Sequence, residues 1–263
     1  MIEAKNIKVK IGKAAILHGV NFTAEPGKVT AIVGPNGSGK TTLLRAITDE
    51  IPWTGQIEIN GKSIGDYKSW ELAAVRGVLP QAATMAFPFT VIEVVRMGLT
   101  SGVHGNKDAL ASQALARVGL SGYEDRFFQE LSGGEQQRAH LARVLCQVWE
   151  PVLDGQPRWL LLDEPVASLD IGHQLLIMRC LQEYAKQGGG VIAVMHDLNL
   201  TAMVADAVTI VALGQVVAQG GVQDVLNDQA LSAAYDCRLK TNTPPLSGMR
   251  YVLPQAAEAV NLR

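Results

Sequence analysis

One stretch of the chain decides the fold, and it reads Gly34-Pro35-Asn36-Gly37-Ser38-Gly39-Lys40-Thr41. It fits the phosphate-binding loop pattern without a mismatch. The apolar, β-branched residues 29–33 precede it and are typical of a strand buried in a parallel sheet, and Thr42 opens a segment with helical character. This order of strand, loop and helix is the context that the pattern requires. The sequence therefore predicts an α/β protein that binds a phosphorylated ligand.

The residue types in this loop match the chemistry of a nucleotide phosphate chain. Glycines let backbone N–H groups turn inward around phosphate oxygens, and the N-terminus of the following helix adds the positive end of its dipole. Lys40 would reach the β- and γ-phosphates, and the Thr41 hydroxyl would bind Mg²⁺. A glycine-rich turn that only caps a helix would explain Gly37 and Gly39, but it would not explain Lys40 followed by Thr41.

Two carboxylates follow a second apolar run further along the chain. Residues 159–162 (Trp-Leu-Leu-Leu) predict a buried parallel strand, and Asp163 and Glu164 come directly after it. The carboxyl ends of parallel strands form the edge where α/β proteins bind ligands. Asp163 is therefore expected to hold Mg²⁺ through water, and Glu164 to orient or deprotonate an attacking water. The alternative is a pair of exposed acids at a turn before Pro165, and the phosphate-binding loop weighs against it.

The bulk composition of the 263 residues excludes several classes of protein. Hydrophobic residues make up 48% and charged residues 18%, which suffices for a sizeable core. A formal net charge of −2 argues against nucleic-acid binding through a basic face. No apolar run reaches the roughly 18 residues of a membrane span, and the N-terminus does not resemble a secretion signal. The widely separated Cys146, Cys180 and Cys237 favour reduced thiols, packed in the core of a cytosolic protein, over a disulfide framework.

The secondary-structure signals predict an α/β core that a helical segment interrupts. Gly55 and Gly61 bracket an alternating run that is typical of an antiparallel strand. Helical character is found at residues 91–97, 108–118 and 136–148, and strand signals return at 159–162, 191–195 and 208–213. Beyond residue 226 the signal weakens, and the last nine residues, from Gln255, are expected to be mobile.

These signals divide the chain into four parts. The expected parts are residues 1–81 (first part of the core, with an antiparallel β flank), 82–155 (helical subdomain), 156–225 (second part of the core) and 226–263 (C-terminal extension).

A third motif lies in the helical segment and reads Leu131-Ser132-Gly133-Gly134-Glu135-Gln136-Gln137-Arg138. Ser132 and Glu135 form an S-x-x-E capping box for the helix that follows. Capping does not explain two glycines in the first turn, since each costs about 1 kcal/mol relative to alanine. Close approach of an anion to the backbone does explain them. The motif resembles the signature sequence of ATP-binding-cassette (ABC) ATPases, which implies that Ser132 and the helix N-terminus contact the γ-phosphate of ATP held by the other subunit.

The resemblance to ABC ATPases covers roughly residues 2 to 225 and implies roles for further residues. Gln81, in Leu79-Pro80-Gln81, matches the glutamine loop that touches Mg²⁺ and joins the core to the helical subdomain. Ser168-Leu169-Asp170 matches the loop exchanged between subunits beside the catalytic glutamate. His196, which follows a predicted strand, matches the switch histidine that contacts the γ-phosphate.

The family also implies a fold, ligands and a working state. The implied fold is a P-loop NTPase (RecA-like) α/β core with an antiparallel β flank and an inserted helical subdomain. Two copies would face head to tail and enclose two ATP·Mg²⁺, so a homodimer, ATP and Mg²⁺ are expected. The candidate residues then group as catalytic (Glu164, His196 and Gln81), metal-binding (Thr41, Gln81 and Asp163), nucleotide-binding (residues 34–42 with Ile11) and acting on the other subunit (residues 132–135 and 168–170).

Ile11 departs from a feature of many relatives, in which an aromatic residue stacks on adenine. That aromatic lies 23 positions before the first loop glycine, and here the position holds Ile11, in Lys10-Ile11-Gly12. An aliphatic contact with the base remains open, but an aromatic stack does not.

The sequence leaves two classes of function to compare. The first is the motor of a membrane transporter, and the second is a soluble cassette ATPase that acts on ribosomes or DNA. The second class usually has two cassettes in one chain or a long coiled-coil insertion, and the sequence shows neither. A single cassette without membrane spans resembles a bacterial importer subunit. Such a subunit docks on two polytopic permease subunits at the cytoplasmic face of the inner membrane and acts indirectly with a periplasmic substrate-binding protein.

Two further segments narrow the expected cargo by resemblance. Residues 86–98, which begin Ala86-Phe87-Pro88-Phe89, resemble the subfamily that imports iron chelates, haem and vitamin B12. The linker at residues 148–159 resembles that of haem (hemin) import ATPases in particular. Haem is the expected cargo, and a ferric siderophore or vitamin B12 is the alternative. Phe87 is expected either to pack against a permease helix or to lie in the core.

Overall fold

Strands and helices alternate along most of the chain. The structure is a computed structural model, and it describes residues 1–81, 85, 87–101, 108–244 and 248–256. The strands are β1 (Ile2–Ile11), β2 (Ala14–Ala24), β3 (Val29–Val33), β4 (Thr54–Ile59), β5 (Lys62–Ser63), β6 (Arg76–Leu79), β7 (Val152–Leu153), β8 (Gln156–Pro157), β9 (Trp159–Asp163), β10 (Gly190–Val194), β11 (Ala207–Ala212) and β12 (Gln215–Gly221). The α-helices are α1 (Lys40–Ile47), α2 (Ser69–Val75), α3 (Val91–Ser101), α4 (Asp108–Arg117), α5 (Gly133–Gln147), α6 (Ile171–Lys186), α7 (Leu198–Val204), α8 (Val222–Val225) and α9 (Asp228–Tyr235). Across these described ranges, no helix combines the length and the apolar character that a membrane crossing demands.

The central sheet positions the candidate site. Within the described residues its six strands run in the order β12-β11-β3-β10-β9-β6, and every neighbouring pair except β11 and β12 is parallel. Strands β3, β9 and β10 are buried along their whole length, as their continuous apolar sequences predict. Their carboxyl ends meet at one edge of the sheet. The chain leaving β3, β6, β9 and β10 at that edge supplies residues 34–41, Gln81, Glu164 and His196.

Alternate residues of the central strands face two separate apolar cores. Ile32 and Leu161 pack with residues of the antiparallel sheet, in which the strand order is β2-β1-β4-β5, and of helix α1. Their neighbours Val33 and Leu162 pack on the other face with residues of the helices. Side chains of a strand point alternately to opposite faces. A sheet covered on both faces therefore favours strands that are apolar at most positions.

Two glycines allow helix α5 to pack closely on its neighbours. A Cβ at Gly98 of α3 would run into the carbonyl oxygen of Arg143 in α5. A Cβ at Gly77 of β6 would lie 2.7 Å from the Val144 side chain of the same helix. Helix α5 is thus packed both on its helical neighbour and on the edge of the central sheet.

The helices depart from the sequence expectations in several places. Helix α5 begins three residues before the expected 136, because Ser132 caps it. Helix α6 has no counterpart among the expected elements, although its buried residues 177, 178, 181, 184 and 185 have helical spacing. The weak signal beyond residue 226 conceals α9, which Asn227 caps by accepting a hydrogen bond from the Ala230 N–H at 2.9 Å. The division of the chain at residues 81, 155 and 225 stays a prediction.

The C-terminal segment is held where the structure describes it. Residues 254–256 form a 3₁₀ turn, and the Gln255 side chain donates a hydrogen bond to the Asn199 carbonyl at 2.8 Å. The rest of the segment expected to be mobile, residues 257–263, lies outside the described residues, as does Ala86.

Two of the three cysteines pack as expected. Cys146 and Cys180 are buried thiols, and burial raises the pKa of Cys146 to about 12 and that of Cys180 to about 11. The expectation of core packing is wrong for Cys237, which is exposed because it lies beyond Asp236, the left-handed residue that ends α9.

Candidate active site

Residues 34–39 connect β3 to α1, and residues 36–41 border an open cavity. Three of the glycines have positive φ, +148° at Gly34, +75° at Gly37 and +106° at Gly39. A Cβ at Gly34 would run into the carbonyl oxygen of Val211, whereas a Cβ at Gly37 would meet nothing within 4 Å. The neighbouring strand therefore requires glycine at position 34. At position 37 a side chain would fill the loop where backbone amides can approach a phosphate group.

The Lys40 side chain is held over the loop by two backbone carbonyls of the loop. The side chain is only 5% exposed, and Nζ donates hydrogen bonds to the carbonyls of Gly34 at 2.9 Å and Pro35 at 3.0 Å. Burial lowers the pKa of Lys40, and the charges of Glu164 and Asp163 oppose that shift. An ammonium group has three donors, so Lys40 can bind a phosphate oxygen in addition to both carbonyls.

Thr41 and Asp163 bring two oxygen ligands together at the start of α1. The Thr41 hydroxyl donates to Asp163 Oδ1 at 3.2 Å. Asp163 ends β9 and is 3% exposed, and burial raises its pKa while the hydrogen bond from Thr41 opposes the shift. No cluster of three or more His, Cys, Asp or Glu side chains suited to a metal occurs in the described ranges. A hydroxyl and one carboxylate suit Mg²⁺, which is usually held by few protein oxygens and several waters.

Glu164 receives two polar side chains on a single carboxylate oxygen. Gln81 Nε2 donates to Glu164 Oε1 at 3.1 Å, and His196 Nε2 lies 2.5 Å from the same atom. An ionised carboxylate can only accept hydrogen bonds, so His196 Nε2 acts as the donor in a contact with the Glu164 carboxylate. Glu164 has a φ of +52°, a left-handed conformation that costs a non-glycine residue about 1–3 kcal/mol. The structure thus brings the three expected catalytic side chains into direct contact.

These side chains and the phosphate-binding loop surround one cavity of about 690 Å³. It is lined by Ile16, Asn36, Gly37, Ser38, Gly39, Lys40, Thr41, Thr42, Gln81, Glu164 and His196. A neighbouring cavity of about 340 Å³ has Thr41, Gln81 and Asp163 in its wall. The candidate nucleotide, catalytic and metal-binding residues are therefore contiguous.

Ile11 lies apart from this lining. It is 54% exposed at the end of β1, where it pairs with Ala14 across the hairpin to β2. Ile16, two residues beyond Ala14 in β2, does line the cavity. The contact of Ile11 with adenine stays a prediction, and Ile16 is a second candidate for an apolar contact with the nucleotide.

The signature segment forms the N-terminus of α5. Glu135 Oε2 accepts hydrogen bonds from the Ser132 N–H at 2.8 Å and the Ser132 hydroxyl at 2.7 Å, which confirms the expected capping box. These bonds to Ser132 hold the pKa of Glu135 below its usual range. A Cβ at Gly133 would meet nothing within 4 Å, but one at Gly134 would lie 2.9 Å from the Ser168 carbonyl oxygen. Gly133 thus leaves an open surface, whereas Gly134 is required by packing within the chain.

The loop at residues 168–170 follows Glu164 and leads into α6. Ser168 and Asp170 are exposed, and Leu169 is half-buried. Asp170 caps α6 by accepting a hydrogen bond from the His173 N–H at 2.9 Å, and its second oxygen lies 2.8 Å from His173 Nδ1. These bonds with His173 lower the pKa of Asp170.

One known protein family has a model that matches this chain. Residues 17–167 match the family model described as ABC transporter. The chain belongs to the ABC transporter family. Membership confirms the expected family, and the mostly parallel sheet with its antiparallel flank confirms the expected α/β fold.

Relatives of this ABC cassette cover almost its whole length. The hemin import ATP-binding protein HmuV of Jannaschia sp. (strain CCS1) is 60% identical over 257 residues, which is 98% of this chain and 95% of the relative. The protein of the same name from Roseobacter denitrificans (strain ATCC 33942 / OCh 114) is 58% identical over 256 residues, 97% of this chain and 98% of the relative. The solved dimeric structure of a bacterial ABC transporter cassette is 26% identical with a TM-score of 0.73, covering 84% of this chain and 99% of that chain.

Sequence reasoning missed two residues of this ABC cassette that border the site. Ile16 has no distinctive pattern, because its position depends on how the β1–β2 hairpin folds over the phosphate-binding loop. Gln137 donates a hydrogen bond from Nε2 to the backbone carbonyl of Glu164 at 2.6 Å. Gln136 and Gln137 are identical in type and adjacent, and only the rotation of α5 decides which of them reaches Glu164.

Proposed function

We propose that this chain is the ATP-hydrolysing subunit of a bacterial ABC importer that takes up hemin. The observation that carries hydrolysis is the convergence of Gln81 and His196 on Glu164, beside the loop that holds Lys40. The two relatives at 60% and 58% identity, both named hemin import ATP-binding proteins, support hemin as the cargo. The cargo is argued from these relatives, because an ATPase subunit need not touch the transported molecule.

The phosphate-binding loop and its neighbours hold ATP with Mg²⁺. The backbone N–H groups of residues 36–42 and the Lys40 ammonium bind the phosphates, and Ile16 or Ile11 contacts the nucleotide with apolar surface. The Thr41 hydroxyl, the Asp163 carboxylate and the Gln81 amide oxygen are the candidate ligands of the cation, directly or through water. When bound, Mg²⁺ neutralises charge that develops on the phosphate oxygens.

Glu164 supplies the base. Its carboxylate orients the attacking water and takes a proton from it, while the Nε2–H of His196 holds Oε1 in place and faces the cavity where the γ-phosphate lies. Gln81 donates to the same oxygen, so this hydrogen bond forms only when the Glu164 carboxylate is correctly placed. The burial of Lys40 strengthens its attraction for the phosphates, because charges interact more strongly away from water.

A second copy of the chain completes each site. Ser132 and Gly133 are exposed at the N-terminus of α5, where the helix dipole favours an anion. In a head-to-tail homodimer this end of α5 contacts the γ-phosphate of the partner, and residues 168–170 meet across the interface. The dimeric cassette of similar fold supports this assembly.

Two permease subunits anchor the dimer at the cytoplasmic face of the inner membrane. Phe87 is 67% exposed, so the alternative of core packing is wrong for this residue. It lies six positions after Gln81, and it offers an apolar contact to a permease helix near the catalytic residues. A periplasmic substrate-binding protein would act on the other side of the same permease.

The test replaces Glu164 by glutamine in a strain that depends on hemin for iron. Glu164→Gln removes the base but keeps the shape of the side chain, so the purified chain should still bind ATP while turnover falls by at least about a hundredfold. The same variant should fail to restore growth on hemin to a strain that lacks the gene. Glu183→Gln, an exposed glutamate of α6, is the matched control and should behave as the wild type.

Two outcomes would contradict parts of this proposal. A Glu164→Gln chain that keeps more than half of the wild-type turnover would remove Glu164 from the catalytic role. A deletion strain that grows normally on hemin, but fails to grow on a ferric siderophore or loses vitamin B12 uptake, would show that hemin is not the cargo. That result would leave the ATPase assignment intact.

A further inference from the structure

We infer that Gln137 is a positioning residue for Glu164, an inference that rests on the proposed catalytic role of Glu164. Gln137 is half-buried in α5, and its Nε2 donates to the backbone carbonyl of Glu164 at 2.6 Å. This bond runs from the helix that begins at the signature segment to the residue that follows β9. Gln137 acts on the main chain of Glu164, whereas Gln81 and His196 act on its carboxylate.

The backbone around Glu164 explains why this bond matters. The two peptide planes that flank Glu164 are rigid, so together they fix its φ and ψ and the direction of its side chain. The first plane is held by the Glu164 N–H, which donates to the Val194 carbonyl at 3.2 Å. The second plane joins Glu164 to Pro165. Because proline has no N–H, the Glu164 carbonyl is the one polar group by which that plane can be held.

Gln137 anchors that carbonyl from outside its own loop. The Ala167 N–H also donates to it, at 3.3 Å, but Ala167 belongs to the turn that Glu164 itself begins. The left-handed φ of Glu164 persists only where the surroundings hold the backbone firmly. Loss of the Gln137 amide would free the second plane to rotate. The carboxylate would then leave the position in which Gln81 and His196 reach it.

The position of Gln137 also connects two sites of the dimer. Ser132, which we propose contacts the nucleotide of the partner, is the N-cap of helix α5, and Gln137 lies about one turn beyond Gly133, where the helix begins. Gly134 packs against the carbonyl of Ser168 between these two points. A displacement of α5 on binding the partner's nucleotide would therefore reach Glu164 of the same chain through the Gln137 amide.

The test compares two glutamines of α5 that both donate to backbone carbonyls. Gln137→Met removes the bond to Glu164, and Gln147→Met removes bonds to the carbonyls of Ala73 at 2.9 Å and Arg76 at 3.0 Å, none of which lines the cavity. For the purified full-length chain with ATP and Mg²⁺, Gln137→Met should lower kcat by about tenfold to a hundredfold. Its KM for ATP should stay within about twofold, since the residue does not bind nucleotide. Gln147→Met should change Tm without this loss of kcat.

A second variant and a double variant complete the test. Gln137→Glu keeps the side-chain shape but removes the N–H donors, so it should show the same separate loss of kcat. If Gln137 acts through Glu164, adding Gln137→Met to Glu164→Gln should slow hydrolysis no further. An unchanged kcat in both Gln137 variants, or an equal loss in Gln147→Met, would overturn the inference and leave the proposed function standing. Wild-type turnover in Glu164→Gln would instead overturn the proposed function.

Discussion

At the scale of single residues, the site holds charged groups in a partly buried setting at a cost in stability. Lys40 and Asp163 are 5% and 3% exposed. Burial favours the neutral form of each group, so it lowers the pKa of Lys40 and raises the pKa of Asp163. The charges of Glu164 and Asp163 oppose the shift of Lys40, whose Nζ also bonds two loop carbonyls, and the hydrogen bond from the Thr41 hydroxyl opposes the shift of Asp163. These groups are ordered by the protein in advance, so binding of phosphate and cation need not rearrange them.

Two isoleucines lead to a prediction about which nucleotide base the protein accepts. With Ile11 and Ile16 as the apolar candidates for this contact, the base receives no aromatic stack, which elsewhere adds about 1 kcal/mol beyond area burial. Affinity then comes mainly from the phosphates, so we expect GTP to be used within roughly tenfold of ATP, about 1.4 kcal/mol. Ile11→Tyr should tighten ATP binding several-fold without changing kcat. Val152→Tyr, in the β7–β8 hairpin, is the control.

The measurement is the ratio of kcat/KM for ATP and GTP in the wild type and in both variants. A wild-type preference for ATP above about a hundredfold, equivalent to about 2.7 kcal/mol, would mean that other groups recognise the base. Equal effects of Ile11→Tyr and Val152→Tyr would place Ile11 outside the base contact.

At the scale of elements, the start of α5 combines two separate demands on its glycines. Sequence reasoning assigned both Gly133 and Gly134 to close approach of an anion. In the structure Gly133 faces open space, but Gly134 lies against the carbonyl of Ser168 and the side chain of Leu169. The signature segment and the loop at residues 168–170 are therefore packed together within one chain. A glycine at the start of a helix can thus be required by a neighbouring loop as well as by a ligand.

This packing predicts that alanine at the two glycines has unequal effects on stability. Both substitutions gain a similar helix propensity, so that contribution cancels in the comparison. Gly134→Ala alone places a Cβ 2.9 Å from the Ser168 carbonyl oxygen. Its free energy of unfolding should be about 1–3 kcal/mol lower than that of Gly133→Ala, a range typical of overpacking. Urea denaturation of the two chains without nucleotide provides the measurement, and equal midpoints and slopes would contradict the expected contact.

Some strands and helices could be predicted from the sequence, whereas others could not. The central buried strands were predictable because β3, β9 and β10 are apolar at nearly every position, Thr30 and the terminal Asp163 excepted, and lead into motif residues. Helix α6 carries a helical pattern too, but its residues 171–176 are exposed or half-buried, and its buried apolar positions begin only at Ile177. The contact of Gln137 with Glu164 depends on how α5 rotates against β9, and Ile16 depends on a hairpin fold. Contacts of this kind arise from packing and leave no spacing signal.

At the scale of the whole molecule, two segments that are expected to contact the nucleotide do not border the cavity of their own chain. Within the described residues, 132–135 and 168–170 do not line the 690 Å³ cavity that holds Lys40 and Glu164. Ser132 caps a helix and remains exposed, and its neighbour Gly133 is open. A site that needs both sets of residues would therefore be built from two chains, each supplying what the other lacks.

Mixing two inactive variants tests this shared site. Lys40→Ala removes the ammonium that we propose binds phosphate within its own chain, and Ser132→Arg would place a bulky side chain against the γ-phosphate that we propose the partner holds there. A heterodimer of the two has one site with Lys40 and Ser132 intact and one with both altered. We expect no ATP-driven dimer from either variant alone and a dimer from the mixture, because one intact site traps one nucleotide between the chains.

Light scattering with ATP measures the mass, and Ser69→Arg, at the exposed start of α2, is the control. Normal ATP-driven dimers of Ser132→Arg alone would show that Ser132 does not face the partner's nucleotide, and a mixture that stays monomeric would show that one intact site cannot close the dimer.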